Sequence, residues 1–505
     1  MIIVKKRNFF LFLILILVTA SLFFSCAGGK ANNANELRFG ITTEPITFDP
    51  LNPGNSADGR SILFNVFEGL VKPDSSGILR PCLAESWIIE PDSLVYTFFL
   101  REGARFHDGS ILDSSDIKFS LETAMSMGFT GLGNIQEVLA EGANTVKIVL
   151  KLPDPEFLPY LTIGIVKAGN LDREEKRIGT GPFYIDSYTT QRNLVLKKFE
   201  KYWRYGYPHL DKVTIVFFEN FDSLMTALLG GGIDGVRVTG SLASQIDYRK
   251  FDIINSSSAT AQLLALNNIV PPLDDARVRK AINYGIDLQN IIDTAFFGAG
   301  SPSGSPLIPG LTLYYENSLE YPYNPDLARS LLAQAGFDGE RREFVLEITV
   351  PSNYAMHVDT AQVIASQLEK IGVRTIIKLV DWNTWLSDVY FGRQYMSTII
   401  SLDSATVSPK GFLSRYYSNA SGNFINYKNA EYDKIFDKAL VEPNEGERVK
   451  LYKAAQRDIA DNAASVFIQD IVYFMILRKD QFGGFLNYPL YVIDFASIYK
   501  NEIVN

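Results

Sequence analysis

The chain has 505 residues and a formal net charge of −9, with 47% apolar and 21% charged residues. That composition excludes wholesale disorder and a collagen-like or Pro/Gly-rich fibre. One hydrophobic core rarely grows past about 250–300 residues, so the length implies several domains. The acidic balance argues against a nucleic-acid partner, and two cysteines, Cys26 and Cys82, are too few for a disulfide framework.

At the N-terminus Lys5, Lys6 and Arg7 precede a low-polarity run from Phe9 to Phe24. This run is shorter than the ~20 residues a membrane span needs and suits a signal peptide over residues 1–25. Ser25-Cys26 followed by Ala27-Gly28-Gly29 resembles a bacterial lipoprotein signal, with Phe23 standing where that pattern usually has Leu. The resemblance implies lipidation of Cys26 and a small, polar tether over 26–35. Removing three cations and no acid takes the balance from −9 to −12, so the body would not hold anionic lipid by itself. Attachment would rest on a multiply acylated cysteine, with the body in the periplasm or on the outer face of the cytoplasmic membrane. An uncleaved anchor would place the body on the same side.

Leu37, Phe39 and Ile41 alternate with Arg38 and Gly40 and predict a strand. A helix is expected over 115–127, with Ser115 as cap and a stripe of Ile117, Leu121, Ala124 and Met125. Pro271-Pro272 cannot continue a central strand and marks a boundary near residue 270. A helix over about 276–285 follows Asp274-Asp275. Asn324-Pro325-Asp326 opens another, carried by Leu327, Leu331, Leu332 and Ala335 and stopped by Gly336. Phe344, Leu346, Ile348 and Val350 then share a strand face. A helix from about Asp359, with Ala361, Ala365 and Leu368, ends at Gly372, and Val373 to Val380 reads as a strand. Alternation of this kind indicates an α/β layer architecture.

Candidate chemistry is sparse. His107, His209 and His357 lie far apart and in no metal-ligand spacing. Gly230-Gly231-Gly232 lacks the Lys-Ser/Thr of a phosphate loop, and Gly179-Thr180-Gly181 is followed by Pro182, which has no N–H to offer a phosphate. Both read as turns. Glu174-Glu175 and Asp274-Asp275 read as caps or solvated faces, and Cys82 as a buried, inert thiol. Nothing requires an enzyme, a metal or a cofactor.

The stretch Leu83 to Ala124 decides the reading. Leu83-Ala84-x-Ser86-Trp87, Tyr96-Thr97-Phe98, Leu100-Arg101-x-Gly103, Phe106-His107-Asp108-Gly109 and Asp116-Ile117-x-Phe119-Ser120 follow one another at set spacing. Phe48-Asp49-Pro50, Glu68-Gly69-Leu70, Gly179-Thr180-Gly181-Pro182-Phe183, Tyr202-Trp203, Gly232-Ile233-Asp234 and Tyr323-Asn324-Pro325 complete the pattern. Over residues 36–505 the chain resembles the extracytoplasmic solute-binding proteins, family 5, of ABC transporters (the oligopeptide/dipeptide/nickel-binding family). The resemblance implies an α/β, periplasmic-binding-protein-like fold of class II, large type. It would have two lobes with hinge crossovers and an extra domain inserted in lobe I. Lobe I is expected at 36–69, 175–268 and 476–505, the insert at 70–174 and lobe II at 269–475.

The implied function is capture of a solute between closing lobes and its delivery to ABC permease subunits by a monomer. For the site, the resemblance implies ligand contacts at Trp382, Ser401, Asp403, Ala405, Asn55 and Asn267. Peptide binders of the family commonly place an Asp, pairing with the peptide's amino terminus, where this chain has Ala405, and a Trp where it has Leu402. Asp403 shares a strand face with 405 and could substitute. Oligopeptide is the first expectation. An oligosaccharide stacked on Trp382 and Trp385 is the rival, and a sensor or adhesin without a transport role would use the same fold.

Overall fold

The computed structural model describes residues 35–501, apart from 46, 53–56, 130, 171, 173–176, 244–245, 318, 338–341, 404–407 and 489–491. The leader, Cys26, most of the tether, Asn55 and Ala405 lie outside the described residues.

Two strands organise everything else. The first, Phe251–Leu266, runs antiparallel to the second, Ser465–Arg478, from Phe251 opposite Arg478 to Ala265 opposite Ser465. In chain order, strands β1 (Glu36–Ile41), β2 (Ala84–Ile89), β3 (Val95–Leu100), β4 (Ile135–Glu141) and β5 (Thr145–Leu150) come first. Then follow β6 (Phe183–Thr189), β7 (Asn193–Lys198), β8 (Lys212–Phe217), β9 (Gly235–Thr239) and the long β10 (Phe251–Leu266). The later strands are β11 (Gly300–Pro302), β12 (Phe344–Pro351), β13 (Val373–Val380), β14 (Ser397–Asp403) and the long β15 (Ser465–Arg478). The main sheet has the order β13-β12-β14-β10-β15-β9-β1-β8-β7-β6, with β11 beside β15. Each side of the long pair has a parallel centre, β9-β1-β8 on one side and β13-β12-β14 on the other.

The apolar cores divide along that pair. Two cores take residues up to Phe251 and, from the later part of the return strand, Met475 onward. Two others take Ala261 to Ile471. Partly buried Ile254 and Phe474 pack with the first set, Tyr473 with the second. The changeover therefore falls inside β10, where its register with β15 shifts between Ser257 and Ala261. The 268/269 boundary that the resemblance implied, beside Pro271-Pro272, lies further along. The proline pair marks where the strand has ended, whereas a strand that serves both cores shows no break in its own apolar pattern. We call the two sides the first and second halves.

The first half also carries an antiparallel sheet in the order β2-β3-β5-β4. Helix α1 (Ala57–Leu63) precedes it, and α2 (Ser114–Ser126) packs against β4 and β5. Tyr96, Phe98, Ile117 and Ile148 of this inserted unit share a core with Leu37, Phe39 and Ile215 of the main sheet. Helix α2 is capped by Asp113 rather than the expected Ser115. The Asp113 carboxylate accepts from the Ser115 N–H, and Asp116 bonds back to the Asp113 N–H at 2.9 Å. A carboxylate there also suits the helix dipole.

In the second half α3 (Ala276–Gly285) starts from Asp275, and α4 (Pro325–Gln334) starts from Asn324 with Gly336 left-handed at its end. β12 and β13 fall on the expected residues. Helix α5 (Ala355–Glu369) begins one turn before Asp359, because its buried stripe opens with His357 and Thr360, whose burial no apolar periodicity reveals. Helices α6 (Pro409–Leu413) and α7 (Glu445–Asp461) complete the elements needed below.

Candidate functional site

The motifs that carried the family resemblance form a joint between the inserted unit and the main sheet. Glu68, 2% exposed, accepts from the Tyr202 hydroxyl at 2.7 Å, the Trp203 indole N–H at 2.9 Å and the Cys82 thiol at 3.4 Å. Burial and the neighbouring Glu68 carboxylate push the Cys82 thiol well up, away from the reactive thiolate. Arg101 lies 4.1 Å over the Trp203 ring and donates to the Cys82 carbonyl. His107 accepts the Gly179 N–H at Nδ1 (3.2 Å), while its Nε2 lies 3.0 Å from the Gly181 carbonyl, an acceptor that requires the ring proton there. The glycines are needed for close approach. A Cβ on Gly179 would stand 2.1 Å from the Val66 carbonyl oxygen, and one on Gly69 would stand 2.4 Å from that of Leu161.

Of the expected ligand contacts, Trp382, Ser401 and Asp403 lie together near the boundary between the halves. β14 pairs along β10 so that Thr260 is opposite Asp403, Gln262 opposite Ser401 and Leu266 opposite Ser397. Asp403 thus ends the strand where the cores change over. Its carboxylate accepts from Arg60 Nη2 of α1 at 2.8 Å, and its carbonyl accepts from Arg415 at 2.9 Å. Arg60 belongs to the first half and Asp403 to the second, so the ion pair crosses between them. Both side chains remain more than a third exposed. Asp58, two residues before Arg60, and Asp403 both raise the phenol of Tyr354, after the larger effect of burial. Burial pushes the Tyr473 phenol up to about 12, partly offset by Arg237 5.3 Å from its ring.

Trp382 opens a short helical turn capped by Asp381. It stacks on Trp385 at 5.1 Å with an interplanar angle of 7°, and Tyr354 meets it edge-on at 5.6 Å. Trp385 is 2% exposed and donates to Thr398 Oγ1, so it is part of the core. Trp382 stays half-buried.

Beneath this surface lies a polar chain. Gln469 donates to the Gln262 oxygen at 2.9 Å, and Gln262 donates to His357 Nδ1 and Thr360 Oγ1, each at 3.1 Å. Ser401 stands on the same face beside Gln262, and its buried hydroxyl has no hydrogen-bond partner among the described residues. Burial holds His357 down at about 3, hence neutral.

Asn267 does not join the site. It is fully buried, donates to the carbonyls of Arg393 and Tyr395, and accepts from Asn426. It also follows β10's far end, roughly 20 Å along the strand from the residue opposite Asp403 at ~3.3 Å per residue. Arg60, Tyr354 and Tyr473 are the contributors that sequence reasoning missed. An arginine on a short helix and two tyrosines beside core positions carry no pattern that marks them.

Heme-binding protein A of Haemophilus influenzae is 26% identical over 506 residues, covering 91% of each chain. Glutathione-binding protein GsiB of Escherichia coli is 26% identical over 463 residues, 87% of this chain and 89% of its own. Among solved structures, the ABC transporter substrate-binding protein CtaP of Listeria monocytogenes superposes with a TM-score of 0.84 at 25% identity, covering 93% of this chain and 100% of that one. With two cored halves joined by a pair of long strands, an inserted unit, and a family model matched over residues 79–424, the chain belongs to the bacterial extracellular solute-binding proteins, family 5.

Proposed function

We propose that this family 5 binding protein captures an oligopeptide between its two halves, outside the cytoplasm, and delivers it to the permease of an ABC-type importer. The observation that carries the peptide reading is the Arg60–Asp403 pair. A cation from one half and an anion from the other meet beside the half-open Trp382 and Tyr354. A peptide brings both an ammonium and a carboxylate, so it can take over either partner or both. Closure helps capture only where solute touches both halves, since a ligand with equal affinity for open and closed states shifts nothing. β14 supports the same reading. Its pairing with β12 is confined to Ser397 and Thr398, so among the described residues the 399–403 edge on that side has no strand partner and suits strand-like peptide backbone bonds.

The oligosaccharide reading loses support because Trp385 is enclosed, leaving one half-open indole where that reading calls for two. Native mass spectrometry of gently purified protein tests the choice. Co-purified peptide masses support the proposal, and a ladder of hexose increments overturns it.

The proposal includes the leader. Residues 1–25 act as a signal peptide and Cys26 carries the lipid that tethers the body. Replacing Cys26→Ser then moves the protein from the membrane fraction to the soluble one. An unchanged distribution contradicts the anchor.

A further inference from the structure

A second set of polar contacts joins the halves away from Trp382 and Arg60. It begins at Asp154-Pro155-Glu156, just past β5 on the inserted unit. Both acids are buried, with Asp154 3% and Glu156 6% exposed. Glu156 Oε2 accepts from Ser408 Oγ at 2.7 Å and from the Tyr452 hydroxyl at 3.0 Å, and Arg448 Nε lies 3.6 Å from its other oxygen. Asp154 pairs with Lys410 Nζ at 2.7 Å. Ser408, Lys410, Arg448 and Tyr452 all belong to the second half, on α6 and α7 or capping them.

Each side is organised by its own contacts. Asp154 accepts the Glu156 N–H through its carboxylate and the Tyr96 hydroxyl through its carbonyl. Ser408 caps α6 by accepting the Lys410 N–H, and Arg448 donates to the carbonyls of Glu442 and Pro443. Neither surface needs the other to hold its shape. The groups that meet are charged or hydroxylic, so each can stand in water when the surfaces part, unlike the apolar faces of a permanent interface. Burying a carboxylate is costly unless its partners are in place, so this contact discriminates sharply between apposed and separated halves.

We infer that Asp154 and Glu156 form a clasp that closes the inserted unit onto the second half without solute, and that they are positioning residues for capture. The inference rests on the reading that the halves open and close. It adds that the inserted unit is a working part of the closure, and that solute completes a closed state which the clasp already favours.

The test measures distance without any solute. Spin labels on Ile88→Cys in the inserted unit and Phe391→Cys in the second half report the separation. Both positions are well exposed. Cys26→Ser removes the other accessible thiol candidate, and buried Cys82 stays unlabelled. In the full chain the wild-type clasp should give a main population at one short separation. Glu156→Ala should lower that population about tenfold, the scale of losing charge-assisted hydrogen bonds. Ser408→Ala and Tyr452→Phe should give intermediate shifts and guard against a folding defect in the first variant. Identical separations in wild type, Glu156→Ala and Ser408→Ala would overturn the clasp. Peptide masses retained by wild-type protein would meanwhile leave the capture reading intact, so the two failures can be told apart.

Discussion

Acidification should destabilise the second half through His357, and the size of the effect follows from its surroundings. The ring is 2% exposed and accepts from Gln262 at Nδ1, a contact that a proton on that nitrogen would abolish. Burial depresses its pKa from 6.5 to about 3. A histidine with a depressed native pKa leaves stability untouched above 6.5. Below it the unfolded chain binds a proton that the native state refuses, so stability falls as pH falls, until about pH 3. The slope is about 1.36 kcal/mol per pH unit, giving ~2 kcal/mol lost at pH 5 relative to neutral pH. His107, held down to about 4 by burial, acts in the same direction but over a shorter range, ending near pH 4. Buried Asp116, Glu156 and Asp458 are raised by burial and oppose the trend, so the comparison must be made against a variant. His357→Gln removes the titration and keeps an acceptor for Gln262. Urea unfolding followed at Trp382 and Trp385 should lose ~2 kcal/mol more between pH 7 and pH 5 in wild type than in His357→Gln. A chain with several cores need not unfold in one step, so the transition in this half is the relevant one. Imidazole NMR gives an independent reading, because the chain has only three histidines. A His357 resonance that titrates with a midpoint near 6 would refute the reasoning, as would equal pH dependence in the two proteins.

Arg60→Ala and Asp403→Ala should each reduce the peptide retained in native mass spectra about tenfold, while the melting temperature barely moves, since an exposed pair contributes only ~0–1 kcal/mol. A large stability loss with retention unchanged would make the pair structural. Trp382→Ala removes contacts with Trp385 and Tyr354, so thermal unfolding should register a loss of roughly 1–3 kcal/mol alongside lost solute retention. Full retention in that variant would remove Trp382 from the site. Gly69→Ala forces a methyl onto the Leu161 carbonyl and should reach the upper end of about 1–3 kcal/mol or beyond. Gly133→Ala, with open space around its new methyl, should be nearly neutral in the same denaturation assay.

The sequence by itself determined the family, the α/β layering and several element boundaries. It did so because the family motifs are a structural joint. Glu68, Cys82, His107, Gly179, Tyr202 and Trp203 meet buried partners at close range, and such packing demands particular residues at particular spacings. The same property kept those motifs silent about the solute. Only the tertiary structure decided where the cores change over within β10, that Asn267 is enclosed, and that Trp385 is core while Trp382 stays half-open. Only the fold could bring Arg60 to Asp403 or Glu156 to Ser408, because each pair lies hundreds of residues apart in the chain. A lone charge on a helix or loop has no periodicity to announce its partner. Its meaning comes from the opposite charge that folding sets beside it.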